Sequence, residues 1–329
     1  MLADHLRPDL FDSEPECTPT RNGYGEGLQE AGSRDERVVA LCCDLTESTR
    51  THQFAEAFPT RFVQVGVAEQ NLASLGSGMA AMGKIPFIAS YAAFSPGRNW
   101  EQIRTTIAYN DQNVKLVGAH AGVSVGPDGA THQMTEDIAI MRAMPNMVVI
   151  APADVHEARK VVLAAAQYDG PVYFRVGRSA TPVVTTPESP FAIGQAELMY
   201  QGDTSAKQTV GLVVTGSLLY NALCTAKALG EQGIGASVLH MPTIKPLDTD
   251  ALESFAAAHD RLVTIEEHQV FGGLGGAVAE HLSAVRPTRI ERVGVQDQFG
   301  QSGTPDELIA HYGMDIPGIT AAAQRVLAA

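Results

Sequence analysis

A series of short apolar runs, each separated from the next by a helix-length stretch, constrains the fold of this chain most. RVVALCCDL (37–45), the run 62–67, IPFIASYAAF (85–94), NVKLVGAH (113–120), MVVIAP (147–152) and PVYFRVG (171–177) are largely apolar rather than alternating. A strand with one wet face alternates, whereas a strand covered on both faces does not. The stretches between them, among them 69–82, 99–109, 136–143 and 154–167, read as helices. Together they predict a parallel sheet with helices on both faces. A second set of the same kind begins with TVGLVVTG (209–216). It continues through a helix over 218–232, a strand over 236–240, a helix over 248–258 and RLVTIEE (261–267). FGGLGG (271–276) then opens a helix over 277–285, before a strand near 290–295 and a helix near 305–312. The fold class is α/β, with two consecutive doubly wound parallel-sheet domains.

The chain has 329 residues, more than the ~100–200 expected of one domain. Residues 1–19, with Pro8, Pro15, Pro19 and several acids, predict a mobile lead-in. The first domain is expected over 20–185, although Gly23, Gly25 and Gly27 weaken its opening helix. Residues 186–208, rich in Pro, Thr and Gly, read as a linker, and the second domain follows over 209–329.

The net charge of −14 argues against binding a phosphate backbone, which needs a basic face. A small anion held by a few local cations stays possible. Cys17, Cys42, Cys43 and Cys224 have no metal-ligand spacing and fit small buried hydrophobes in a reducing compartment. The acidic, proline-containing start is unlike a secretory signal, and no run of ~18 apolar residues suggests a membrane span. The expectation is a cytoplasmic protein.

Ligands of parallel sheets sit beyond the C-terminal ends of the strands. Asp44, Glu69, Tyr91, His120, Arg175 and Arg178 fall at or just beyond such ends. Singly, each has an ordinary explanation. A glutamate at a helix start complements the helix dipole, the loop histidines His120 and His132 are common polar residues, and PDG (127–129) is a turn signal. The two arginines fit solvated strand-end charges. Their joint arrangement favours a site.

VGVAEQN around Glu69, SYAAF (90–94), MPNMVVIAPAD (144–154) and above all H-x7-D-G-x-T-H-Q (120–133) resemble transketolase. The similarity covers the pyrimidine-binding and C-terminal domains, as found in the second subunit of split transketolases, from about Arg21 onward. It implies a thiamine diphosphate enzyme. Glu69 matches the glutamate that hydrogen-bonds the cofactor's aminopyrimidine and so promotes loss of the thiazolium C2 proton. Phe94 is the first choice for the aromatic that stacks on the pyrimidine, Tyr91 the second, and Asp44 matches a residue bordering the cofactor. His132 matches the histidine near the donor carbonyl, and Asp128 the aspartate on the substrate hydroxyl. Arg21, Ser48, His120 and Arg178 match a sugar-phosphate pocket, with Arg98 as a further substrate contact. The resemblance also implies Mg²⁺, for which the family supplies a GDG motif and a later Asn. This sequence contains no GDG, and FGGLGG has no acidic residue to replace it. The diphosphate and metal half-site is therefore expected on a partner chain, in an assembly of two copies of each subunit. A deoxyxylulose-phosphate synthase-like enzyme or specialised ketol transferase is the enzymatic alternative, and a non-catalytic assembly subunit the alternative of another class.

Overall fold

The computed structural model describes residues 1–12, 14–259 and 261–328. In chain order its strands are β1 (Cys17–Pro19), β2 (Val38–Cys42), β3 (Phe62–Gln64), β4 (Ile85–Tyr91), β5 (Lys115–Ala119), β6 (Val148–Ile150) and β7 (Val172–Val176). β8 (Ala180–Pro182), β9 (Glu197–Tyr200), β10 (Thr209–Val214), β11 (Gly235–His240), β12 (Thr243–Lys245), β13 (Arg261–Gln269) and β14 (Arg289–Val295) follow. The first domain's sheet has the order β12-β6-β7-β5-β4-β2-β3, and the second domain's β14-β13-β10-β11-β9. All are parallel except the pairings of β12 with β6 and of β9 with β11. Every residue of β2, β5, β6 and β7 is buried, which is why those runs carry no alternation.

The glycines of the first helix, Thr20–Arg34, serve packing. A Cβ on Gly23 would lie 2.0 Å from the Val155 carbonyl oxygen, and one on Gly27 would lie 2.9 Å from that of Arg159. Their lost helix propensity, ~1 kcal/mol each, is exchanged for close contact with the helix Val155–Gln167.

Three expectations are corrected, and one helix is added. Residues 1–19 are not a mobile lead: Leu6 and Leu10 are buried in the second domain's core, and β1 pairs antiparallel with β8. The span 186–208 is more than a linker, since it contributes β9 to the second sheet. Over 99–109 the helix Trp100–Gln102 gives way to a π-helical turn, Ile103–Ala108, where Ser77 Oγ donates to the Thr106 carbonyl at 2.7 Å. A further helix, Ile316–Ala328, buries Ile319, Ala322, Ala323 and Val326.

The domains are laced together. β12, from the second half of the chain, completes the first sheet beside β6. One hydrophobic cluster runs through both, from Leu72 and Ile138 to Leu274 and Val278. At its polar margin Arg175 is buried, donating to Asp137 at 2.9 Å and to the Glu267 and Met134 carbonyls at 2.8 and 3.1 Å. Tyr173 donates to the other Asp137 oxygen at 2.6 Å. Arg175 is thus no solvated strand-end charge. A buried ion pair is tolerated where further hydrogen bonds satisfy both partners, as here.

Candidate active site

From β2 the chain crosses to β3 on one side; β4 and β5 then extend the sheet on the other. The crevice where strand order reverses therefore opens at the C-terminal ends of β2 and β4, the place a doubly wound sheet offers a ligand. Asp44 follows β2, Glu69 begins the helix after β3, Tyr91 ends β4 and His120 follows β5. Asp44 and His120 both take left-handed backbone, each with φ 57°, a conformation that for non-glycine residues concentrates at functional sites.

Glu69 is 3% exposed. Ser90 Oγ donates to its Oε1 at 3.1 Å and Arg98 Nη1 to its Oε2 at 3.2 Å. Asn99 Nδ2 donates to the Glu69 carbonyl at 2.9 Å and to Ser95 Oγ at 3.1 Å. The carboxylate is thus held in both position and direction. Burial, reinforced by Glu69, pushes the neighbouring Cys43 thiol up to about 11, so Cys43 stays an inert thiol.

Beside this carboxylate lies an aromatic wall. The Tyr91 and Phe94 rings are 5.9 Å apart and nearly parallel, and His132 stands edge-on to Phe94 at 5.5 Å and 74°. Tyr91 is stacked on His120 at 3.9 Å. The Arg98 guanidinium lies 4.3 Å from the Phe94 ring centre. Arg98 thus lies against Glu69 and Phe94.

Those arginines form a second, adjoining cluster. Arg21 Nη1 donates to the Ser48 carbonyl at 2.9 Å and lies 3.5 Å from His120 Nε2. Arg178 Nη1 donates to Asp128 at 2.9 Å. The local field is positive: burial, then Arg50 and Arg178, lower the Arg21 guanidinium from its ordinary value. Burial, then Arg21, Arg178 and His132, push the His120 imidazole down to about 3, so its ring is neutral at physiological pH. Arg21 Nε and His120 Nδ1 are buried and make no hydrogen bond. Converging cations with spare buried nitrogens suit an anion with several acceptor oxygens.

Of the residues named from sequence, Glu69, Tyr91, Phe94, Arg98 and His132 are thus joined in one cluster. Arg21, Ser48, His120, Asp128 and Arg178 form the other, with Tyr91 bridging the two. Asp44 is exposed, its backbone N–H donating to Gln64 at 2.7 Å. Sequence reasoning missed Ser90 and Asn99, which orient Glu69, and Gln133, whose amide donates to the carbonyls of Val123, Gly126 and Gln301. The one signal for Ser90 was a hydroxyl near the end of an apolar strand. Among the described residues no three His, Cys, Asp or Glu side chains come together as a metal site, and no helix is long and apolar enough to cross a membrane.

Two family models match the chain: the transketolase pyrimidine-binding domain over residues 18–184 and the transketolase C-terminal domain over 203–319. The chain belongs to the transketolase family. It is 45% identical over 298 residues to a transketolase C-terminal section of Methanocaldococcus jannaschii, covering 90% of this chain and 92% of that protein. It is 38% identical to a 6-deoxy-6-sulfo-D-fructose transketolase subunit of a Clostridium species, covering 93% of this chain and 94% of that one. Among solved structures it superposes on a split-gene transketolase described as an inactive β4 tetramer with a TM-score of 0.87, at 42% identity, over 94% of this chain and 98% of that one. A Campylobacter jejuni transketolase shares the fold, with a TM-score of 0.81 at 22% identity over 97% of this chain and 49% of that chain. The pyrimidine-binding domain of this transketolase chain indicates thiamine diphosphate as the cofactor. The residues present fit its aminopyrimidine end: a buried, oriented carboxylate lies within reach of an aromatic face.

Proposed function

We propose that this chain is the second subunit of a two-chain transketolase that transfers a two-carbon ketol unit from a ketose phosphate to an aldose. The observation that carries the proposal is the adjacency of the two clusters, the Glu69 carboxylate with its aromatic wall and the positive pocket of Arg21, His120 and Arg178. The first suits a planar, protonatable ring and the second a phosphate, and Tyr91 and His132 stand between them.

Thiamine diphosphate, when bound, supplies the nucleophile and the electron sink that breaking a carbon–carbon bond beside a ketone requires. Glu69 would hold a proton at N1′ of the pyrimidine, with Ser90 fixing the direction of the carboxylate. Phe94 is the better stacking platform, because Tyr91 already stacks on His120. Asp44 would border the cofactor. His132 would donate a hydrogen bond to the donor carbonyl oxygen, and Asp128 would accept one from a sugar hydroxyl. Arg21, Ser48, His120 and Arg178 would take the phosphate, while Arg98 would contact substrate from the Glu69 side.

The missing GDG motif supports placing the Mg²⁺ ligands and the diphosphate site on a partner subunit with a GDG…N motif, in a cytoplasmic α2β2 assembly. A structural neighbour solved as an inactive β4 tetramer fits a chain that needs that partner. A second reading is a deoxyxylulose-phosphate synthase-like activity, since such a synthase from Geobacter metallireducens is 36% identical over 91% of this chain and 47% of that protein. Supplying the two-chain enzyme with xylulose 5-phosphate and an aldose phosphate, or with pyruvate and glyceraldehyde 3-phosphate, separates the two. Ketol transfer without carbon dioxide release is the expected result. Carbon dioxide release from pyruvate with no ketol transfer contradicts it.

A further inference from the structure

We propose that Glu267, in the C-terminal domain, is a positioning residue for the loop that carries Asp128 and His132. The proposal rests on the substrate-handling role given to that loop above.

In the sequence Glu267 is simply a polar residue near the end of an apolar strand. In the structure it is 6% exposed and reaches across the domain boundary. Its Oε1 accepts the Ser124 backbone N–H at 2.7 Å, and its Oε2 accepts the Ser217 hydroxyl at 2.9 Å. Its own carbonyl accepts Arg175. Gly122, with φ 83°, makes room for this approach: a Cβ there would lie 2.2 Å from Glu267 Oε1.

Ser124 is held from the other side as well. Its carbonyl accepts the Ser179 hydroxyl at 2.5 Å, and the preceding residue, Arg178, donates to Asp128 and to the Val125 carbonyl. A continuous path of hydrogen bonds and covalent neighbours thus runs from Glu267 through Ser124, Ser179 and Arg178 to Asp128. Two neutral tethers flank it. The Gln269 backbone N–H donates to the Thr135 carbonyl at 2.7 Å, and the Gln133 amide to the Gln301 carbonyl at 2.9 Å. Gly122, Gly126 and Gly129 all have positive φ, so at those positions the loop has no side chain to restrain it. The charge-assisted bond from Glu267 is the strongest kind of tether available to it.

The test uses the two-chain enzyme with Glu267→Ala, Glu267→Gln and Ser217→Ala. A charge-assisted hydrogen bond corresponds to about 10–100-fold, so Glu267→Ala should lower donor kcat/KM by that factor. Glu267→Gln keeps an acceptor oxygen and should lose less, and Ser217→Ala should lose a few-fold. The thiamine diphosphate Kd should stay within about twofold of wild type, because Glu69 and Phe94 lie on other elements. Hydrogen exchange of amides 122–135 should accelerate in each variant. Equal loss of cofactor and donor binding, or unchanged exchange over 122–135, overturns the proposal. Where Glu267→Ala does not assemble, the other two variants carry the comparison. A wild-type enzyme without ketol transfer refutes the functional reading, and loop exchange in the chain itself then decides the tether.

Discussion

Glu69→Gln in the two-chain enzyme is expected to lower kcat/KM for ketol transfer by about 10²–10⁴, the range for removing a positioned proton-transfer group, with the fold intact. The side chain is nearly isosteric, and Ser90 can still donate to the remaining carbonyl oxygen. What disappears is the ability to hold and release a proton at that point. The geometry adds a cost: Arg98 sits 3.2 Å from the other oxygen, and an amide nitrogen there would face a cation instead of neutralising one. The loss should appear in kcat as well as KM at saturating cofactor, and a steady-state comparison at matched thiamine diphosphate saturation reads it. Unchanged kcat would remove Glu69 from the chemistry.

Arg178→Ala should lower kcat/KM for phosphorylated donors by about 10–100-fold, the equivalent of a charge-assisted hydrogen bond. An unphosphorylated ketose donor should change by no more than a few-fold. The comparison matters because Arg178 also bonds Asp128, so the substitution alters a second group in the pocket. A phosphate-specific loss isolates the ionic contact, and Arg21 would retain part of the affinity. Equal losses for both donors would assign Arg178 to loop support instead.

Much of the fold is legible in the sequence because strands covered on both faces betray themselves as apolar runs. The features that escaped are those in which local composition and tertiary context disagree. The glycines of Thr20–Arg34 look like helix weakeners until the facing helix is present. The acids and prolines of residues 1–19 obscure Leu6 and Leu10, whose partners lie some two hundred positions away. The helix Ile316–Ala328, with Ile319, Ala322, Ala323 and Val326 buried in helical spacing, lies beyond the last helix read from the sequence, near 305–312. β12 was hidden because three residues carry no periodic signal.

The candidate site divides in the same way. Residues at strand ends could be found from the strand pattern, and their grouping from the DGATHQ and VAEQ elements. What sequence spacing does not encode is which charge a long side chain chooses. Arg98 turns to Glu69 and Phe94, Arg175 is absorbed into the domain boundary, and Glu267 crosses that boundary to the loop that carries Asp128 and His132. For Arg175 and Glu267 the outcome follows from their own burial, and the exposed Arg98 is drawn in by the buried Glu69. A buried carboxylate or guanidinium is costly until paired, so these side chains go where hydrogen bonds are available.

We propose that this chain holds half of an active site. The most direct test is xylulose 5-phosphate-dependent ketol transfer, with thiamine diphosphate and Mg²⁺, by the purified chain alone and after co-expression with a GDG-containing partner subunit. No turnover is expected from the chain alone, and cofactor-dependent turnover is expected from the complex. Full activity from the chain alone would contradict the proposal.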